Sequence, residues 1–351
     1  MAKNNNQSGL SPTEFLAKKY FDQAEKHFTG DGMPVDFKKA VDGYEQSARL
    51  GYAPAIFSLG VCYIRGLGVE HDEKKAYELI SQAAEMGNLD AQFTMGHFYF
   101  EGQVVERDYN KAVEIFQASA DKNHPGGLND LGFCYQHGLG VEVDLEKAFD
   151  CFMRSAENDF AAAQNNVGDC YNFGRGVKAD GEKAYLYYYR AAQNGYPIAQ
   201  NNVGMCYLNG RGVKMDYAQA VHWFEQAGKL GNPVAVANLG FCYETGRGLE
   251  KNEEKAVQLY TIAADADSAP AQYNLAKCLR DGVGIKADER RAFSLFKRAA
   301  EQSFPVAYAD LADCYARGIG TKVDEALAEK YKKLAEEAGF PNSTAKAADD
   351  K

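Results

Sequence analysis

A glycine recurs every 36 residues along this chain, from Gly30 through Gly66, Gly102, Gly138, Gly174, Gly210, Gly246 and Gly282 to Gly318, without one insertion. A fixed period of this size means a stacked array of supersecondary units rather than a conventional globular domain. Numbering each repeat so that this glycine is position 12, nine repeats start at Lys19, Ala55, Ala91, Gly127, Ala163, Ala199, Ala235, Ala271 and Ala307 and end at Asn342. Position 22 is Ala in all nine, position 14 is Gly in all but repeat three (Val104), and position 9 is Tyr in seven.

Each repeat reads as a helix pair. Apolar residues at positions 1, 5, 8 and 9 lie on one helical face. The glycines at 12 and 14 accept left-handed backbone angles and stop that helix. Position 18 is Asp in eight repeats and Asn252 in the other, a helix N-cap that starts the second helix. Gly, Asn, Asp or Ser at position 33 suits the exit of the second helix. Small residues at 6, 22 and 30 let the two helices approach, where larger side chains would overpack the crossing. Ser11-Pro12-Thr13-Glu14 is a capping box that opens a helix into repeat one. Lys330, Lys332, Lys333, Glu336 and Glu337 give the last helix the polar face of a terminal repeat. Residues 1–10 and 343–351 are expected to be a disordered head and tail around one array spanning 11–342.

The pattern in Ala199-Gln-Asn-Asn-Val-Gly-Met-Cys-Tyr207, Gly210-Arg-Gly-Val213, Asp216, Ala220 and Gly231 resembles the Sel1-like repeat family over almost the whole chain. That family is related to the tetratricopeptide repeats. The resemblance implies an all-α, right-handed superhelical solenoid of nine helix-turn-helix repeats, and a non-enzymatic adaptor or scaffold role. The alternative is a regulatory or inhibitory subunit that holds one enzyme in a stable complex.

The candidates for chemistry are better explained as structure. Seven of eight cysteines occupy position 8. Equivalent atoms in neighbouring repeats lie about 10 Å apart, too far for a disulfide, which needs Cα atoms closer than about 7 Å. No C-x-x-C occurs, so a zinc site is not expected. The cysteines are expected to be small buried apolar groups in a reducing compartment. Cys151, at position 25, is the one cysteine that could approach another, Cys134. The recurring G-x-G loops lack the Lys-Ser or Lys-Thr of a phosphate cradle. The six histidines show no metal-ligand spacing, and no G-x-S-x-G turn exists. Neither a metal nor a cofactor is implied. A net charge of −10 argues against nucleic-acid binding, and no apolar run is long enough for a membrane helix. The start of the chain does not read as a secretory signal, so a cytoplasmic location is expected, with signal-independent secretion left open and a monomer favoured.

The informative residues are those the repeat does not dictate. Positions 3, 7 and 10 lie opposite the 1, 5, 8 face of the first helix. In the related tetratricopeptide arrays the matching side lines a concave groove that contacts peptides. Repeats two to four place Phe57, Val61, Ile64, Phe93, His97, Phe100 and Phe133 there, an apolar stripe expected to be exposed, the alternative being that tight superhelical curvature buries it against neighbouring repeats. Later repeats contribute Met205 and Phe241, with the polar position-4 residues Asn166, Asn202, Asn238 and Asn274. Those amides could pair with an extended peptide or bond to the backbone between adjacent repeats. Lys277 and Arg280 are the basic residues on this face. The partner is expected to be a protein or peptide, anchored by a few aromatic residues.

Overall fold

The computed structural model describes residues 10–342, so the expected tail and all of the expected head except Leu10 lie outside the described residues. Among the described residues there are eighteen α-helices and no strand, two helices to a repeat, and the fold class is an all-α solenoid of helix pairs. First helices run Pro12–Thr29, Ala53–Arg65, Leu89–Glu101, Pro125–His137, Ala161–Phe173, Pro197–Asn209, Pro233–Thr245, Ala269–Asp281 and Val306–Arg317. Second helices run Phe37–Arg49, Glu73–Glu85, Tyr109–Asp121, Leu145–Glu157, Gly181–Gln193, Tyr217–Lys229, Glu253–Asp265, Glu289–Glu301 and Glu325–Glu337. The chain divides into two compact bodies, residues 1–163 with 175–177, and residues 164–174 with 178–351. Within each body a helix packs on its neighbours in sequence.

Local chemistry sets the boundaries. Every position-18 side chain, such as Asp72, Asp216 and Asn252, accepts from the backbone N–H three residues on, as an N-cap must. Every position-12 glycine closes its helix in the left-handed region, Gly66 (φ 63) donating its N–H to the Cys62 carbonyl. The capping box at Ser11 and Glu14 forms in both directions, with the hydrogen bonds at 3.2 and 2.7 Å. First helices of repeats two to eight begin two residues before position 1. The residue at position 34 serves as their N-cap, as Asn88, His124 and Asn232 do by accepting from the third N–H onward. Prolines such as Pro54, Pro125, Pro197, Pro233 and Pro270 then fill the first helical turn, where a missing N–H costs nothing.

The core of a repeat is a large side chain at position 26 seated on a small one at position 6. Tyr44, Ile80, Phe116, Phe152, Phe224, Tyr260 and Phe296 at position 26 are among the largest fully buried side chains. A Cβ on Gly132 would stand 2.9 Å from the Phe152 ring, and one on Gly240 would stand 2.8 Å from the Tyr260 ring. Repeat one exchanges the roles: Ala24 holds position 6, and it is Gly43 on the second helix whose Cβ would meet Ala24 Cβ at 2.8 Å. Repeat nine ends the pattern with exposed Lys332 at position 26 and only Ala335 buried on its second helix.

The second loop glycine joins repeat to repeat. A Cβ on Gly212 would overlap the carbonyl of Gly181, the first helical residue of the preceding repeat's second helix, and Gly68 and Gly248 meet Phe37 and Tyr217 in the same way. Gly32, in the first of the nine repeats, has the same φ of 71 as Gly212, but nothing lies within 4 Å of a Cβ placed on it among the described residues. Position 14 therefore does more than stop a helix: it is the point where the loop of one repeat rests on the backbone of the one before.

All eight cysteines are buried free thiols, Cys134 and Cys151 within one core cluster. Burial pushes Cys62 up to about 11 and Cys134 up to about 12, the latter with help from the Asp130 charge. At neutral pH they are small apolar core groups.

Candidate interaction faces

In the first compact body, the face built from positions 3, 7 and 10 is an aromatic cluster centred on repeats three and four. Phe93 lies between two imidazoles, with ring centroids 4.8 Å from both His97 and His124, and its ring covers Gly126. Phe93, His97 and Phe100 all surround the buried Phe116 ring, at 5.9, 5.5 and 6.2 Å. Phe133 stands 6.2 Å from Phe100 and 4.3 Å from His137, and it is 39% exposed. Phe57, Val61, Ile64, Phe93, His97 and Phe100 are half-buried. The stripe is thus less open than the sequence suggests: Phe93, His97 and Phe100 lie against the Phe116 ring of their own repeat, and His97 and Phe100 also meet Asp130 and Phe133 of the next repeat. Phe57 and Ile64 pack in the same manner against the cluster of Ile56, Ile80 and Phe98.

The imidazole of His97 lies 2.9 Å from Asp130, across from repeat three to repeat four. Burial pulls the His97 pKa down, but the Asp130 hydrogen bond and charge, with Glu101, outweigh it and hold the pKa above the usual imidazole value. His124 Nδ1 accepts the Gly127 N–H, so Nε2 is the protonated nitrogen and donates to Asp90 over 3.1 Å.

In the second compact body, the position-4 amides Asn202 and Asn238 are engaged between repeats. Asn202 donates to Asn165 over 2.9 Å and Asn238 donates to Asn201 over 2.8 Å, linking position 4 of one repeat to position 3 of the one before. These bonds run to side chains rather than to backbone acceptors. Asn165 also donates to Asp169, which accepts the Tyr188 hydroxyl. Asn166 and Asn274 are half-buried. The two basic residues assigned to this face part company. Lys277 lies over the Tyr273 ring at 5.7 Å, while Arg280 turns inward, its side chain 8% exposed, to bond Asp310 at 2.6 Å and Asp281 at 2.8 Å. Asp310 also accepts the Tyr273 hydroxyl, so Arg280 is held inside a buried charge network and is not offered to a partner.

A cleft of about 240 Å³ opens between repeats five and six. Met205 and Asn202 line it together with Asn172, Phe173, Asn209 and Arg211, and its inner wall is Tyr188 and Cys206. Arg211 donates to the Asn172 carbonyl and lies 6.0 Å from the Phe173 ring. In the next repeat Arg247 lies 5.1 Å from the Phe241 ring and 5.6 Å from the Tyr217 ring. Sequence reasoning passed over both arginines because they sit in the loop, at position 13. The available signal was that Leu67, Leu139, Val283 and Ile319 hold the same position elsewhere. Among the described residues no group of three or more His, Cys, Asp or Glu side chains could hold a metal ion. No described helix is long and apolar enough to cross a membrane.

The Sel1 repeat family matches the chain nine times, over residues 27–52, 53–88, 89–124, 125–160, 161–196, 197–232, 233–268, 269–304 and 305–340. From the second match on, these bounds start two residues ahead of the numbering used here, close to the observed helix starts. A Sel1 repeat protein from Oxalobacter formigenes is similar at 27% identity and a TM-score of 0.62, covering 73% of this chain and 99% of its own. A protective antigen of uropathogenic Escherichia coli with the same type of fold, c5321, is similar at 25% identity and a TM-score of 0.53, covering 94% and 88%. No curated protein sequence matches the chain.

Proposed function

Because the chain belongs to the Sel1 repeat family, whose helix-pair arrays are typically non-catalytic scaffolds for protein–protein interaction, we propose that it is an adaptor that holds a protein partner on the aromatic face of repeats two to four. The observation that carries this reading is Phe133. It is a large aromatic side chain, 39% exposed, set beside half-buried Phe100, which shares the Phe116 ring with half-buried Phe93. A few such rings on a preformed surface supply anchors at small entropic cost, since the neighbours already fix them. Phe57, Val61 and Ile64 extend the apolar surface into repeat two, and His97 adds a polar edge.

The test is selection of binding peptides from a random library on the full chain, followed by binding measurements on Phe133→Glu. Phe133 is the residue to change, since Asp at Phe93 or Phe100 would also strike the Phe116 core. The expected result is peptides rich in Leu, Phe or Trp that lose at least tenfold in affinity on the variant while its helical content is unchanged. Peptides that bind both proteins equally would remove this face from the assignment.

A further inference from the structure

Position 13 of the repeat is a packing position in four repeats, where Leu67, Leu139, Val283 and Ile319 are half-buried. In repeats five to seven it is arginine, Arg175, Arg211 and Arg247, and the last two belong to one compact body. A guanidinium placed where an aliphatic side chain would pack gives up apolar burial. Its return has to come from the contacts it makes. Here those contacts are chiefly ring faces: Phe173 for Arg211, and Phe241 with Tyr217 for Arg247. Aromatic faces hold a guanidinium in place while leaving its in-plane N–H donors unoccupied. Arg211 places one donor on the Asn172 carbonyl. No side-chain hydrogen bond or ion pair engages Arg247 among the described residues. Glu244, the acidic residue on the first helix of the same repeat, accepts from Tyr260 instead. Arg211 also borders the cleft whose other polar lining is the amides of Asn172, Asn202 and Asn209.

We infer that Arg211 and Arg247 together read two carboxylates on an acidic segment of a protein partner. This rests on the reading that the chain binds proteins, but not on the aromatic face of repeats two to four. A planar guanidinium with free N–H edges takes a carboxylate in bidentate fashion. Equivalent positions in adjacent repeats lie about 10 Å apart. Two glutamates seven residues apart on a helix lie on one face and span about 10.5 Å, and two that are three apart on a polyproline-II segment, with three residues per turn, share a face and span about 9 Å. Either spacing would meet both arginines at once, and the Asn172 and Asn209 amides beside Arg211 supply further donors. A nucleic-acid backbone is the poorer occupant, because a net charge of −10 repels a polyanion over its length, whereas two local carboxylates meet only two local cations.

The test uses the full chain and fluorescein-labelled 15-residue peptides. One is an alanine-rich helix with glutamates seven apart, and one is a proline-rich polyproline-II peptide with glutamates three apart. Each is paired with a glutamine counterpart and a phosphoserine counterpart. Binding is read by anisotropy at low and at physiological salt. One glutamate peptide is expected to bind at least tenfold more tightly than its glutamine counterpart. Arg211→Gln and Arg247→Gln, with circular dichroism matching the wild type, should each remove most of that margin, and Phe133→Glu should leave it intact. Equal binding of glutamate and glutamine peptides, or a margin untouched by the arginine variants, overturns the inference while leaving the aromatic-face reading standing. Tighter binding of the phosphoserine peptides overturns the choice of carboxylate.

Discussion

The hydroxyl of Tyr260 donates to Glu244 over 2.6 Å, tying the second helix of repeat seven to its first. Tyr188 donates to Asp169 at 2.6 Å, and Tyr44 to Glu25 at 2.5 Å, in the same manner. Burial first, and the facing carboxylate second, push the Tyr260 and Tyr188 hydroxyls far above their ordinary range, so both remain donors at any physiological pH. Repeats with Phe or Ile at position 26 carry no carboxylate at position 7 or 10. The core ring and the outer face are therefore chosen together.

Removing one member of this pair should cost more than removing both. Tyr260→Phe should lower stability by about 1–2 kcal/mol, the range for a lost hydrogen bond to a charged group. Adding Glu244→Leu recreates the Phe224 and Leu208 combination of repeat six and should recover at least half of the loss. Urea unfolding of the wild type, both single variants and the double variant gives the coupling directly. Strict additivity would show that the bond contributes nothing.

Gly212 and Gly32 separate backbone strain from crowding. Both have φ 71, but only Gly212 rests on another repeat. Gly32→Ala should cost about 1 kcal/mol, the left-handed penalty alone. Gly212→Ala should cost at least 2 kcal/mol more, as overpacking against backbone cannot relax by a rotamer change. Thermal melts of the two variants provide the comparison, and equal losses would refute the inter-repeat role of position 14.

Gln200 shows where a designed change should stabilise. At position 2, Gln92 accepts from Lys122, and Gln272 from Gln302, both at position 32. In repeat six position 32 is Leu230, 54% exposed, and Gln200 Oε1 is buried with no hydrogen-bond partner among the described residues. Leu230→Gln should raise stability by about 1 kcal/mol, by supplying the missing donor. The measurement is the shift in urea midpoint, and an unchanged midpoint would mean the carbonyl is already satisfied.

His97 predicts a pH dependence confined to the first compact body. Asp130 faces it from repeat four, Glu101 from its own helix, and Phe116 and Phe93 line the rest. Its pKa is raised above the reference value of 6.5, so the protonated form is the one the fold favours. The stabilisation is complete below that reference value and is lost as pH rises through the higher folded value. His97→Gln should flatten this part of the curve, leaving wild type and variant closest in stability at pH 8 and furthest apart near pH 5.5. Imidazole titration by NMR would check the direction, and a His97 pKa below 6.5 would reverse it.

Much of the fold was legible because its determinants are local. The Asp and Asn caps, the left-handed glycines and the capping box at Ser11 each act within four residues, so reading the chain in order finds them. The face at positions 3, 7 and 10 was legible as a register on a helix. Its exposure was not, since that depends on the Phe116 ring and on the neighbouring repeat. The inward turn of Arg280 was hidden for the same reason, because Asp310 lies 30 residues on. The pairings of positions 26 with 7 or 10, and of 2 with 32, were present in the nine repeats as correlated choices and become evident only when the repeats are compared column by column.

The sequence alone determined the period, the helix pair, the small-residue crossings and the family, because a strict repeat multiplies each weak local preference nine times. The tertiary structure alone decided which polar groups satisfy one another and which remain available. Asn202 and Asn238 are bound to neighbouring repeats and Arg280 is neutralised inside, while Arg211 and Arg247 keep unoccupied donors and Phe133 keeps its exposed face. Satisfaction of a polar group is a matter of distance in space between residues some 30 to 40 positions apart, and no one-dimensional pattern carries that distance.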